Sequence, residues 1–367
     1  TIVLANNQAL GVPSAARTVW VGTGGSLALD GGISVSDPSG RFDVVLRGTG
    51  DSRLAGMNGA GASQSGALFS LSGTNTLPCR ITLSNATQIA SSKRLVLQNM
   101  LIGQNLALTV VGPGETAFAV NGMVTNVSSI TLGSNATLSL ENSAAANKAD
   151  RIINTIPLAL NGGNVRFVSD SGAAHFSEAL GAVTVNMGTN SFYASQAAVG
   201  YTSALVVASI TRVSGTVDFV GTGLGEDARN RIFITGQADG MIGPWATING
   251  TNLAMYSSAR GVYAGSGVEY GVAALGGTAA SVIPDDSSAS AVINTMGSMG
   301  PITVANVWTN RILEVRQATE YASTVQMIQG VTNRTLQTSR LSIGAEKSSL
   351  TIGENDNDGA LMALSSG

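Results

Sequence analysis

Two or three apolar residues at alternate positions, closed by a turn of Gly, Asn, Asp or Ser, recur along the chain. The phrase reads Ser26-Leu27-Ala28-Leu29-Asp30-Gly31-Gly32, Thr137-Leu138-Ser139-Leu140-Glu141-Asn142, Pro157-Leu158-Ala159-Leu160-Asn161-Gly162-Gly163 and Gly215-Thr216-Val217-Asp218-Phe219-Val220-Gly221. Period-two apolar spacing over a handful of residues, bounded by turn formers, is the signature of a short strand. Its repetition predicts an all-β solenoid of strands stacked along one axis, because each unit can bury its apolar face only against its neighbours. Leu138 follows Leu106 by 32 positions and Leu158 follows Leu138 by 20, so short lateral loops of unequal length are expected to leave the stack. With roughly 20 to 25 residues per coil the chain would make about 15 coils, and strands about 4.8 Å apart would stack into a rod of roughly 70 Å.

Two places break the phrase. Ser143 to Asn154 has a helix-tolerant composition and is expected to form one helical turn or an extruded loop. Ala273 to Pro301, with Pro284-Asp285-Asp286-Ser287 and a run of Ser, Ala, Met and Gly, is the longest departure. The expected organisation is a β-solenoid over 1–272, a loop insertion or boundary over 273–301, and further solenoid coils over 302–367. The opening and closing phrases read as incomplete, which suggests a fragment or a subunit whose end coils dock on others.

Composition narrows the function classes. Of 367 residues 44% are hydrophobic but only 11% are charged, against about 25% charged in ordinary globular domains. Small apolar residues and hydroxyls fill the difference, as suits two-sided strands, and the 46 glycines belong mostly in turns. The net charge is −3 and no basic run exceeds Lys93-Arg94, so no nucleic-acid partner is expected. No apolar run is long enough for a transmembrane helix. Cys79 is the single cysteine; it cannot form an internal disulfide and reads as a small buried hydrophobe.

At Gly243-Pro244-Trp245-Ala246-Thr247-Ile248-Asn249-Gly250-Thr251-Asn252-Leu253-Ala254-Met255-Tyr256, after the strand-like Arg231-Ile232-Phe233-Ile234-Thr235-Gly236, the chain resembles the autotransporter-associated β-strand repeat proteins. These are very large secreted or surface proteins of bacteria. The resemblance is most specific over about Ala149 to Ala264. It implies a right-handed parallel β-helix, extracellular or at the cell surface, and not enzymatic. On its residues alone, Trp245 is expected to plug a core layer or a corner, and Asn249-Gly250 to form a turn in which both residues tolerate positive φ.

Candidate chemistry is sparse. Glu226-Asp227 and Asp285-Asp286 lie in Gly- or Ser-rich loops and read as solvated turns, and the other acids are mostly lone. Glu354, Asp356 and Asp358 place oxygen ligands at alternate positions ahead of Gly359, matching the first half of a calcium loop. The position of its bidentate glutamate falls on Ser365, so calcium stands beside the plainer reading of a solvent turn, and no other cofactor is expected. His175, the single histidine, reads as structural or solvated. The expected function is structural and non-enzymatic: a filament subunit or passenger stalk whose partners are copies of itself end to end, or adjoining coils of a longer chain. Two other readings stay open. One is an adhesin whose lateral loops near Glu226 to Arg231 and Ala273 to Pro301 meet a glycan or host surface. The other is a carbohydrate-active enzyme, which needs carboxylates stacked in one groove.

Overall fold

A computed structural model describes residues 1–265, apart from 12–14, 38–39, 57–64, 170–173, 196–197, 199, 244 and 251; from 266 onward it describes strand backbones only. The described residues are all-β with long parallel sheets, and the 3-10 turn Ser52–Gly56 is the helical element among them. They form two units. The first comprises Thr1–Asp239, Ile248–Gly250 and Tyr256–Tyr263, and the second Gly240–Thr247, Thr251–Met255 and Ala264–Gly367.

In the first unit a 12-stranded sheet runs through Ile2–Leu4, Leu27–Leu29, Leu68–Ser70, Arg80–Ser91, Met100–Val111, Met123–Leu132, Leu158–Asn161, Phe176–Met187, Ser203–Arg212 and Asn230–Ile234, with Arg17–Trp20 and Phe42–Gly48 joined at its side. A second sheet carries Thr74–Leu77, Arg94–Leu97, Glu115–Phe118, Thr137–Asn142, Asn164–Ser169, Thr189–Ser195 and Thr216–Val220 in that order. The chain alternates between the sheets, so strands adjacent in each are one coil apart in sequence. Their pairing is parallel, as crossover connections require.

Register turns the repeated phrase into continuous rows. Leu27, Leu68, Ile89, Val110, Leu132, Leu160 and Val185 stand side by side in the first sheet. Leu77, Leu97, Phe118, Leu140, Phe167 and Ala194 do so in the second. All are buried, and each fully buried aliphatic or aromatic side chain contributes about 1.5–3 kcal/mol relative to exposure. Such rows replace the single globular core that a chain this poor in charge and aromatics would otherwise need.

Coil length changes along the stack. Leu95, Thr116 and Leu138 are successive partners, giving coils of 21 and 22 residues. Leu138, Val165, Phe192 and Phe219 follow at intervals of 27. The long strands of the early coils also bend. Their register slips between Thr82 and Thr87 and again around Val127, and Gln104, Asn105 and Asn126 stand at φ 49°, 60° and 52°, the left-handed step that Asn tolerates best. Gly103 is needed at this bend because a Cβ there would run into the Val127 side chain and the Asn126 carbonyl. Residues 143–154 form no helix; isolated bridges join Ser143 to Ala146 and Ile152 to Val124, and the remainder is an extruded loop.

From residue 266 onward the described backbone forms three parallel sheets. Their orders are Ala274–Leu275, Ser290–Thr295, Ile312–Gln317, Leu341–Ile343; Ser281–Ile283, Ile302–Val304, Ala322–Met327, Ser349–Ile352; and Trp308–Asn310, Thr335–Thr338, Leu361–Leu364. The span 273–301, expected as a loop insertion or boundary, thus contains the segments Ala274–Leu275, Ser281–Ile283 and Ser290–Thr295, each paired to a later strand. No helix among the described residues is long and apolar enough to cross a membrane.

Candidate functional site

The outward rows of the second sheet build a polar roof over an apolar floor. Arg94 pairs in register with Glu115, while Val96, Ala117, Ser139, Arg166 and Tyr193 form the next outward row. Arg94 Nη1 donates to Glu115 Oε2 at 2.8 Å and Nη2 to Glu141 Oε1 at 2.6 Å. Arg166 Nη1 reaches the other oxygen of Glu115 at 3.3 Å, and its guanidinium lies 5.1 Å from the Tyr193 ring centroid. The span from Arg94 to Glu141 crosses the row of Ala117, which explains why Ala117 is 0% exposed on an outward face. Burial opposes the charge of Arg94, but Glu141 and Glu115 more than offset this and hold its pKa above the ordinary arginine value.

Beside the roof lies a cleft of about 400 Å³. Its lining combines the polar Arg94, Glu141, Asn142, Ser143 and Arg166 with the apolar Ala119, Val120 and Val168. Val120 stands at φ 55°, a conformation that a β-branched residue rarely adopts, and is 44% exposed.

Behind Val120 sits a fully buried arginine. Arg151, 0% exposed, donates from Nε to Asn142 Oδ1 at 2.8 Å, from Nη1 to the Gly122 carbonyl at 2.7 Å and from Nη2 to the Ala146 carbonyl at 3.0 Å. Both Nη atoms also reach the Val120 carbonyl at 3.4 Å. The backbone around Arg151 replaces a strand: Val124 N–H donates to the Arg151 carbonyl at 2.6 Å. On the opposite side the N–H groups of Arg151 and Ile152 donate to Glu178 Oε2 and Oε1, each at 3.0 Å. The Glu178 carboxylate occupies the place of the carbonyls that a neighbouring strand would present. Burial raises the Glu178 pKa from 4.5 to about 8, against the lowering effect of those N–H donors and of Arg151. Burial likewise lowers the pKa of Arg151, opposed by Glu178 and Glu141.

The first sheet ends in an open edge. Ile2–Leu4 pairs only with Leu27–Leu29, and Arg17–Trp20 only with Phe42–Gly48, among the described residues. Ile2, Val3 and Trp20 are 64%, 49% and 73% exposed.

Of the residues singled out from sequence, Asn249 and Gly250 stand at φ 50° and 68°. Asn249 Oδ1 accepts the Gly221 N–H at 3.0 Å, and Gly250 N–H donates to Asp218 Oδ1 at 2.9 Å. They tie one turn to the coil before it. Trp245 is half-buried in the turn ahead of Ala246–Ile248, against Gly243. Cys79 is buried, and burial followed by the Asp37 carboxylate pushes its thiol up to about 12. His175 is exposed, with Nδ1 at 3.0 Å from Thr202 Oγ1 and its ring near Tyr201. Asp227 receives the N–H and side chain of Arg229, and Glu226 beside it is exposed. Glu354, Asp356 and Asp358, the calcium candidates, lie outside the described residues, as do Asp285 and Asp286. Among the described residues no group of three or more His, Cys, Asp or Glu converges to hold a metal ion.

The roof, the cleft and the Arg151–Glu178 pair escape a reading of single motifs. Arg94 and Glu115 are 21 residues apart, one short coil, so opposite charges at the coil interval are the signal that would have joined them. Nothing local marks Arg151, whose role depends on where the coil lengthens. No protein family, curated protein or solved structure matches the chain.

Proposed function

We propose that the protein is a structural, extracellular or cell-surface β-solenoid, wound in the right-handed sense, that builds a filament or passenger stalk by end-to-end strand pairing. The observation that carries this reading is the open edge at Ile2–Leu4 and Arg17–Trp20. Among the described residues its strands are paired on one side only, and they leave Ile2, Val3 and Trp20 exposed. An edge in a soluble monomer is ordinarily blunted by charge, proline or a bulge; here Arg17 is the only charge on the two strands. A further parallel strand, from another copy or from adjoining coils, would complete the ladder and cover the apolar side chains. Right-handed winding is the sense that parallel crossovers take almost without exception. The extracellular placement rests on the resemblance carried by Trp245 to Tyr256, and calcium at Glu354, Asp356 and Asp358 remains a proposal of the same rank.

Negative-stain microscopy and light scattering of the full chain test the assembly. The expected result is filaments, or oligomers that grow with concentration, and conversion to monodisperse particles by the double substitution Ile2→Lys and Trp20→Lys with an unchanged melting temperature. Monodisperse single particles of the unsubstituted chain at every concentration would overturn the reading.

A further inference from the structure

We propose that the cleft beside the Arg94–Glu141 roof binds one neutral hexopyranose unit of a glycan. This inference goes beyond the structural role and does not depend on it, since a monomer presents the same cleft.

The hydrogen-bonding groups around the cleft are of both kinds. Glu141 uses Oε1 for Arg94 and Ser139, leaving Oε2 to accept. Arg94 spends Nη1 and Nη2 on carboxylates and keeps its Nε–H, while Arg166 engages a carboxylate through Nη1 alone. The Ser143 hydroxyl accepts the Ala146 N–H at 3.1 Å and retains its own proton to donate. A ligand that suits them must donate and accept over a short span, as vicinal sugar hydroxyls do.

Charge favours a neutral sugar over an anion. Two guanidinium groups, Arg94 and Arg166, are already matched by Glu115 and Glu141, and the unused oxygen of Glu141 would repel a phosphate, sulfate or uronate. Ala119, Val120 and Val168 add apolar surface to the lining, which suits the C–H face of a pyranose.

Val120 makes this wall a constructed one. An exposed valine in the left-handed region is costly, and Gly or Asn would fill that backbone position without strain. Here the strained carbonyl is held from behind by both Nη atoms of the buried Arg151, so the side chain is fixed toward the cleft. Arg151 is therefore a positioning residue for the wall. The volume of about 400 Å³ falls within the range of small-ligand clefts and holds a single ring.

The test is an amide chemical-shift titration of the full chain. The probes are methyl glycosides of glucose, galactose, mannose and N-acetylglucosamine, with methyl glucuronoside and inorganic sulfate as the anionic arms. At least one neutral glycoside is expected to shift the Val120 and Ser143 amides saturably, in the millimolar range, and to bind more tightly than either anion. Glu141→Gln, which keeps the shape but halves the acceptor capacity, is expected to weaken binding about tenfold. Val120→Gly separates binding from folding: it relieves the φ strain and so leaves the melting temperature equal or higher, while removing the apolar wall and abolishing the shifts. Absence of a saturable shift with every neutral glycoside, tighter binding of glucuronoside or sulfate, or unchanged binding in Val120→Gly would each overturn the proposal.

Discussion

The coils from Leu95 to Leu138 and those from Leu138 to Phe219 share one architecture but differ in circumference. The first advance by 21 or 22 residues, the second by 27. In the inward row Leu95, Thr116 and Leu138 of the short coils give way to Val165, Phe192 and Phe219 of the long ones. Phe192 and Phe219 lie 5.9 Å apart and 18° from parallel, so this row stacks aromatic on aromatic in the long coils, whereas the short coils carry their ring two residues on, at Phe118 between Leu97 and Leu140. Between the two sits the extruded loop with Arg151. Added backbone at that point pairs on one side, where Ile152 bridges to Val124, but has no partner strand on the other, and orphaned N–H and C=O groups inside a protein are strongly unfavourable. Arg151 supplies donors to three carbonyls and Glu178 supplies acceptors to two N–H groups. A stack of this kind can change its girth midway where side chains take over the work of the missing ladder.

The sharpest way to break this comparison is to remove the side chain at the step. Arg151→Met leaves the Gly122 and Ala146 carbonyls unsatisfied and is expected to destabilise the unit by about 3–5 kcal/mol. Hydrogen exchange should locate the opening at residues 120–124 and 142–153; uniform exchange along both sets of coils would show that the step is no special joint. Glu178 gives a second, pH-dependent test. Its folded pKa of about 8 lies above the ordinary 4.5, so the folded state holds a proton that the unfolded state has lost. Its contribution is complete below pH 4.5 and disappears as pH rises through 8. Chemical denaturation across that window should show stability falling with pH, and Glu178→Gln should flatten the slope. A slope unchanged by the substitution would assign it to other groups.

The interior rows sharpen the same contrast at smaller magnitude. Leu138→Phe places a ring in a narrow coil and is expected to cost about 1–3 kcal/mol by overpacking, although Phe192 and Phe219 occupy the same row two and three coils on. A neutral outcome would mean that girth does not decide the side chain. Smallest is Thr116→Val. The Thr116 hydroxyl is buried without a hydrogen-bond partner, so the nearly isosteric change should stabilise the protein by about 1 kcal/mol, measured as a shift in the denaturation midpoint.

Much of the fold was legible because strand formation here is local. Thr137–Asn142 and Leu158–Asn161 are strands where alternation and turn residues foretold them, and their pairing is parallel because each phrase stacks on the next. The pairings that build the cleft were not legible. Arg94 and Glu141 meet only because two coils of 21 and 22 residues intervene, and a coil length is a sum over every loop, not a property of any one phrase. The burial of Arg151 and Glu178 was hidden for the opposite reason: charge at an inward position contradicts the apolar pattern and makes sense only beside unpaired backbone. Residues 143–154 illustrate both points, since their composition allowed a helical turn as readily as the loop that forms.

Cys79 leaves the protein chemically blank to sulfhydryl reagents. Thiol alkylation proceeds through the thiolate, and a buried thiol pushed up to about 12 offers almost none at neutral pH. A cysteine introduced at Val213, 68% exposed, would therefore take up a maleimide dye alone, with no need to remove the native residue first. Dyes placed coil by coil in this way would make the polypeptide its own optical ruler.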